Sequence, residues 1–416
     1  MLDVDQQLAR LRERIARIDR KYLVPKPQVT AGVRLVISGI IGGTVIENEF
    51  GPHLELERSF PSHHQHGSAD VGALSEVPAS LLDVLARNDI PSAAPTRWAF
   101  LDTETTGLAG GSGTYAFLVG VGRITERGFT VRQYFMREYS EERSLLLALE
   151  QELSEFDVLV TYNGRAYDQP LLETRYRMNR RPPPFSRLGH LDLLYGARRL
   201  WKMQFESCRL VQLEREVLGV EREGDIPGEL IPYAYFDYLR SQNAERLLPV
   251  FHHNRLDILS LACLTAIVPA AFESTDPASL ARLGLRRGPE LAGLGRWLRA
   301  AGDIQRAGEL LKRAVDAGLP DRLLFQTLWD LACLEKKQKR PFEALRIFVE
   351  LSGCRNDFQV AAFEELAKFY EHREKNYALA LDFTEQALSL QRTGVLAHRQ
   401  ERLRRLLESP RPRKLL

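Results

Sequence analysis

From Thr96 the chain runs through three long segments rich in apolar residues, "WAFLDTE", "TYAFLVGVGRI" and "FTVRQYFMRE", joined only by Gly-rich turns. Connections that short bring neighbours together antiparallel, so the pattern predicts a three-stranded meander. The period then changes. "EERSLLLALEQELSEF" reads as a helix, "DVLVTY" as a buried strand, the stretch from Asp168 to Met178 as a helix and "HLDLLY" as another apolar strand. Strands separated by helices add in parallel, so this half of the chain is expected to form a mixed α/β sheet: three antiparallel strands, then βαβ.

After Ser207 helical patterns dominate, and beyond Leu291 they repeat. Leu291, Leu294, Gly295, Ala307 and Ala314 align with Leu328, Leu331, Ala332, Ala344 and Leu351, and a third copy offers Leu366, Ala367, Tyr370, Ala380 and Ala387. Small residues recurring every 36 to 37 positions mark places where paired helices cross, and the pattern resembles tetratricopeptide repeats. A plain bundle has no reason to repeat its small residues at one spacing. The chain is therefore expected to divide into a helix and small β/loop region (1–95), the α/β domain (96–270), a linker (271–290), the repeats (291–392) and a basic capping helix with a tail (393–416).

In the first region, residues 3–23 carry one narrow apolar stripe, and "SHHQHGS" with His63, His64 and His66 is expected to be a polar loop, since no Cys or carboxylate stands at ligand spacing. Cys208, Cys263, Cys333 and Cys354 form no CxxC pair, which argues against a zinc ribbon and a disulfide framework. A reducing cytoplasm is the expected compartment. The N-terminus lacks the apolar core of a secretory signal. The longest apolar stretch, "LSLACLTAIVPAAF", is interrupted by Ser260, Thr265 and Pro269, and no membrane span is expected.

The chemistry lies in carboxylates. Asp102 and Glu104 are two apart on a strand, so both leave the same face. Adjacent buried anions are costly unless a cation sits between them, and oxygen-only ligands select a hard ion such as Mg²⁺ or Mn²⁺. In "VTYNGRAYDQPLL" a strand ends at Tyr162, Asn163 begins a turn, and Asp168 opens a helix. In "FHHNRLDILSLACL" Asp257 stands on the polar side of an apolar helix, with His253 one turn before it. Each motif also has a bland explanation: a strand end, a turn cap, a helix-dipole carboxylate.

Their order is the stronger signal. DxE on the first strand, NxxxYD at a strand-to-helix turn and a histidine ahead of a final Asp resemble the DEDD 3′–5′ exonuclease superfamily, on an α/β ribonuclease H-like fold. "SCRLVQLEREVLGVEREGDIPGELIPYAYFDYL" with "HNRLDILSL" resembles more narrowly the bacterial YprB-like group, ribonuclease H-like domains often joined to tetratricopeptide repeats. The resemblance implies that Asp102, Glu104, Asp168 and Asp257 hold two divalent ions, Mg²⁺ or Mn²⁺, and that a histidine before Asp257 helps deprotonate a water. Of the two candidates, His253 lies four residues from Asp257 and so nearly above it, whereas His252, five away, points aside. The implied activity is hydrolysis of phosphodiester bonds in DNA or RNA, with a protein partner on the repeats.

The overall charge of +2 neither requires nor excludes a polyanion. Locally, the segment from Arg175 to Lys202 carries eight basic residues against Asp192 alone, and Arg177, Arg180 and Arg181 are expected, with Asn163, to track the substrate backbone. Phe100, Tyr162 and Tyr167 are weighed as base-stacking residues against a core role. His190 and Asp192 have a strand-end role open to them. Two other functions use the same residues: a scaffold whose acidic site is vestigial, and an endonuclease.

Overall fold

A computed structural model of the chain describes residues 37–77, 90–107, 113–274 and 276–408. In chain order its first half comprises α1 (Ile37–Ile41), β1 (Thr44–Asn48), β2 (Gly51–Pro61), the two-residue pair β3 (Gln65–His66) and β4 (Ala69–Asp70), β5 (Trp98–Thr105), β6 (Ala116–Thr125), β7 (Gly128–Phe135), α2 (Glu142–Leu153), β8 (Val158–Thr161), α3 (Asp168–Met178), β9 (Gly189–Asp192) and α4 (Leu193–Trp201). Seven strands form one sheet in the order β1-β2-β7-β6-β5-β8-β9. The meander β5-β6-β7 is antiparallel, and β8 and β9 add to β5 in parallel, each after a helix. This is the expected ribonuclease H-like arrangement.

Two strands were not expected in it. β2 pairs with β7 from Leu54 opposite Phe135 to Pro61 opposite Gly128, and β1 covers its outer edge. Residues 44–61 thus extend the sheet instead of standing in a region of their own. The polar-loop expectation for "SHHQHGS" also needs correction: His66 is buried, its Nε2 lying 2.6 Å from Ser260 Oγ, and burial lowers its pKa to about 4.

Both faces of the sheet are buried over β5, β6 and β8. Trp98 and Phe100 point into one apolar cluster, and Ala99 and Leu101 into the other, which α2, α3 and α6 (Ile231–Ser241) cover. The first face is closed by α4 and by α7 (Leu248–Glu273), the latter preceded by α5 (Leu210–Leu213), which runs into a π-helical turn at Glu214–Leu218. The stretch expected to be interrupted is therefore an unbroken 26-residue helix. The segment Ala244–Glu273 is long and apolar enough to cross a membrane, but 67% of its most apolar window is buried inside this fold, which makes it the core helix. Close approach of α7 depends on two glycines of β6: a Cβ on Gly120 would lie 2.3 Å from Asn254 Oδ1, and one on Gly122 2.5 Å from Ile258 Cγ2.

The remaining chain is helical: α8 (Pro277–Arg282), the hairpins α9 (Gly288–Ala301) with α10 (Ile304–Asp316), α11 (Asp321–Lys337) with α12 (Pro341–Ser352) and α13 (Gln359–His372) with α14 (Tyr377–Leu390), then α15 (Gly394–Glu408). The repeated small residues Ala307, Ala314, Ala332, Ala344, Ala367, Ala380 and Ala387 are all buried where helices meet. Within the expected linker, Leu280 and Leu285 are buried, so it packs as a wedge. α15 buries Leu396 and Leu403, and Arg399 and Arg402 both reach Glu371 at 2.5 Å. The expected N-terminal helix at 3–23 and the tail from 409 onward lie outside the described residues, as does part of the Gly-rich turn at 108–112, whose ends Thr106 and Tyr115 clasp with two 2.9 Å hydrogen bonds.

Candidate active site

Alternation along β5 carries Asp102 and Glu104 to the same face as Trp98 and Phe100, the face under α7, at the carboxyl end of this interior strand. β8 lies parallel to β5, so the turn that follows it and the first residue of α3, Asp168, arrive at that same edge. Asp257 comes from α7. Three distant segments thus bring four carboxylates close enough for their charges to interact.

The surroundings hold each carboxylate differently. Asp102 Oδ2 accepts from Asn254 Nδ2 at 2.7 Å, and Asn254 Oδ1 in turn accepts from Gln133 Nε2 at 2.8 Å. Since Gln133 Nε2 also donates to the Phe251 carbonyl at 2.9 Å, the orientation of both amides is settled, and Asp102 receives a true donor. Asp168 Oδ1 accepts from Thr103 Oγ at 2.5 Å. Asp257 is bound by the guanidinium of Arg222, which also makes two 2.5 Å bonds to the buried Glu214. Glu104 is buried beside the other three.

Burial raises the pKa of all four. Asp102 rises well above its ordinary range through burial and then the charges of Asp257 and Asp168. Glu104 does so through burial and then Asp102, Asp257 and Asp168. Asp168, raised by burial and partly restrained by the Thr103 hydrogen bond, reaches about 6. Asp257 is raised by burial, with His253 and Arg222 opposing. Among the described residues no three His, Cys, Asp or Glu side chains are already drawn into a metal-ligand cluster. The donor set nevertheless fits a hard divalent ion: all oxygen, buried, and with the like charges of Asp168 and Asp257 acting on Asp102 and Glu104.

His253 and His252 part company here. His253 is buried, with Nε2 3.6 Å from Asp257 Oδ2 and Nδ1 2.8 Å from Asp225 Oδ1. Burial alone would lower its pKa, but Asp225 and Asp257 raise it. The His252 ring lies against Arg255 Nη2 at 3.0 Å, and burial lowers its pKa.

The turn before Asp168 is built by Asp192. Asn163 has φ 68°, and its backbone N–H donates to Asp192 Oδ1 at 2.8 Å, while Arg165 N–H donates to Oδ2 at 3.1 Å. Asp192 also caps α4 through Leu194 N–H. His190 steadies α3: its two ring nitrogens lie 2.6 Å from Gln169 Oε1 and 2.8 Å from Thr161 Oγ, and burial lowers its pKa to about 4. Gln169 Nε2 donates to Glu173, so its oxygen faces the ring and the proton sits on Nδ1.

The basic segment is not one continuous track. Arg175 is buried against Glu142 with bonds of 2.5 and 2.6 Å, and Arg187 donates to the carbonyls of Leu153 and Phe156. Arg181, expected on the substrate, is instead held by Glu150 at 2.7 Å and lies over the Phe50 ring. Arg177 and Arg180 are exposed, but Arg177 follows Asp168 by nine helical residues, so about 13 Å separates them along α3. Of the aromatics, Phe100 is core, Tyr162 donates to the Cys208 carbonyl, and Tyr167, 59% exposed beside Asp168, alone faces solvent.

Arg222, Glu214, Asn254 and Gln133 escaped sequence reasoning. The available signals were the alternate glycines 120 and 122, which announce a close neighbour over β6, and Glu214, which stands four residues from both Leu210 and Leu218 in "LVQLEREVLGV" and so shares their helical face.

Residues 99–268 match the RNase_H superfamily. Across 352 residues, 83% of this chain and 82% of the relative, the sequence is 36% identical to the uncharacterized protein YprB of Bacillus subtilis (strain 168).

Proposed function

The chain belongs to the family of Bacillus subtilis YprB, with a domain of the RNase_H superfamily, and from that premise we propose that it is a metal-dependent nuclease acting on DNA or RNA. The observation that carries the reading is the meeting of Asp102, Glu104, Asp168 and Asp257 at the carboxyl end of β5, where the charges of Asp168 and Asp257 help raise the pKa of Asp102 and Glu104. These four side chains would hold Mg²⁺ or Mn²⁺. Bound there, divalent ions would supply Lewis-acid chemistry, lowering the pKa of a water and offsetting charge on the leaving group.

The chain's own residues do the rest. Asn254, oriented by Gln133, keeps Asp102 fixed; Thr103 does the same for Asp168; Arg222 holds one oxygen of Asp257. His253, across from Asp257, is the base that receives the proton of the attacking water, and exonuclease action from a 3′ end is the form of hydrolysis that the DEDD-like order favours. Tyr167 offers an exposed ring beside Asp168 for a terminal base. The helical hairpins, read as tetratricopeptide repeats, bind a protein partner. A cytoplasmic location belongs to the same proposal, since all four cysteines are unpaired.

The test is a labelled panel of single-stranded, duplex and structured DNA and RNA incubated with Mg²⁺ or Mn²⁺, with linear and circular forms of each. Stepwise shortening of linear substrates alone is expected. Cleavage of circles would make the enzyme an endonuclease, and no hydrolysis of any substrate would favour a scaffold with a vestigial site.

A further inference from the structure

The segment between the π-helical turn and α6 delivers two charged side chains to the base. Arg222 and Asp225 stand three residues apart, and Gly219 and Gly224, both with φ 68°, turn the chain around them. Asp225 Oδ1 and Oδ2 lie 2.8 and 3.0 Å from His253 Nδ1, and Oδ2 accepts from Arg222 Nη1 at 3.0 Å. Arg222 Nη1 itself comes within 3.1 Å of the same Nδ1. A guanidinium only donates and a carboxylate only accepts, so Nδ1 cannot satisfy both. The nearer, doubly placed and anionic partner is Asp225, which draws the Nδ1 proton to itself and leaves the lone pair on Nε2, the nitrogen facing Asp257.

We propose that Asp225 is a positioning residue which holds His253 in the Nδ1–H tautomer, so that Nε2 is free to accept a proton, and that Arg222 makes this role impossible for an amide. The assignment rests on reading His253 as the base of a nuclease. Arg222 is anchored by two 2.5 Å bonds to Glu214, so its Nη1 stays pointed at the Asp225–His253 pair. In the isosteric Asp225→Asn variant the side-chain oxygen remains with the guanidinium, which needs an acceptor, and the NH₂ group is left facing Nδ1. Nδ1 then becomes the acceptor and the proton moves to Nε2, where it blocks the lone pair. In Asp225→Ala the guanidinium claims Nδ1 directly, with the same result.

The experiment uses the full chain, metal-free, with ¹⁵N-labelled histidine, and long-range ¹H–¹⁵N correlation at a pH where the ring is neutral. The His253 signals are identified among the nine histidines by their loss in His253→Gln. Wild type is expected to show a protonated Nδ1 and a pyridine-type Nε2, and both Asp225 variants the reverse. In single-turnover cleavage with Mn²⁺ the variants are expected to lose about 10²-fold or more in kcat with KM unchanged, the share a positioned base contributes. Wild type with the proton on Nε2, unchanged spectra in both variants, or reversed spectra with undiminished kcat would each overturn the proposal. Absence of hydrolysis by wild type would instead overturn the nuclease reading, and the spectra would still decide the tautomer.

Discussion

Asp168→Asn is expected to make the metal-free protein more stable, not less. Burial lifts the Asp168 carboxyl from the ordinary value near 3.8 to about 6. Between about pH 4 and 6 the folded chain therefore holds a proton that the unfolded chain has released, so this group's contribution to stability falls as pH rises through the window and stays lost above it. At about 1.36 kcal/mol per factor of ten, the full penalty at pH 8 is about 3 kcal/mol. Solvent contact and the Thr103 bond, which an amide oxygen can still accept, bring the expected gain to roughly 1–2 kcal/mol. Urea denaturation in EDTA at pH 4 and pH 8 measures it: the variant should match wild type at the lower pH and exceed it at the higher. The same variant should have lost cleavage. Lower stability at pH 8, or an equal gain at both pH values, would refute the view that burial disfavours the ionised Asp168 carboxyl.

Three further outcomes follow from the geometry. Gly120→Ala puts a methyl group 2.3 Å from Asn254 Oδ1, so it should displace α7, loosen the grip on Asp102 and cost about 1–3 kcal/mol in chemical denaturation. Glu142→Ala leaves the buried guanidinium of Arg175 without its anion and should cost about 3–5 kcal/mol, far more than Glu173→Ala at the exposed Arg177, as paired urea titrations would reveal. Replacing Arg177 and Arg180 together with Ala should reduce the log–log salt slope of single-strand binding by about 1.4, whereas Arg181→Ala should lower stability and leave the slope unchanged; fluorescence anisotropy across a salt series distinguishes the two.

The sheet was legible because its periods are unambiguous: the meander alternates, and the apolar runs at Val158 and Gly189 sit between helices. β1 and β2 were readable as strands but not as partners of β7, since pairing across about 70 residues leaves no local mark. For the site, the carboxylates could be named because buried acids stand out against apolar neighbours. Their supports could not. Asn254 and Gln133 are unremarkable polar letters until α7 lies over β6, and Arg222 differs from the other arginines only in what folding places around it. The basic segment misled for the converse reason: charge counts do not reveal that Glu142 and Glu150 wait across the fold.

One apolar cluster runs without a break from Phe100 and Val160 through α7 and α4 into Leu294, Leu311 and Leu331 of the hairpins. α9 crosses α4 so closely that a Cβ on Gly293 would stand 2.5 Å from the Arg199 carbonyl, and Trp297 lies on Phe272 with ring centroids 4.6 Å apart. There is accordingly no seam at which the α/β half can be cut free. A fragment ending near residue 287 would present the outer faces of α4 and α7 to water as an adhesive surface, and its insolubility would say nothing about the site at the far edge of the sheet. The helical hairpins are thus part of the wall of the α/β half, whatever else they hold.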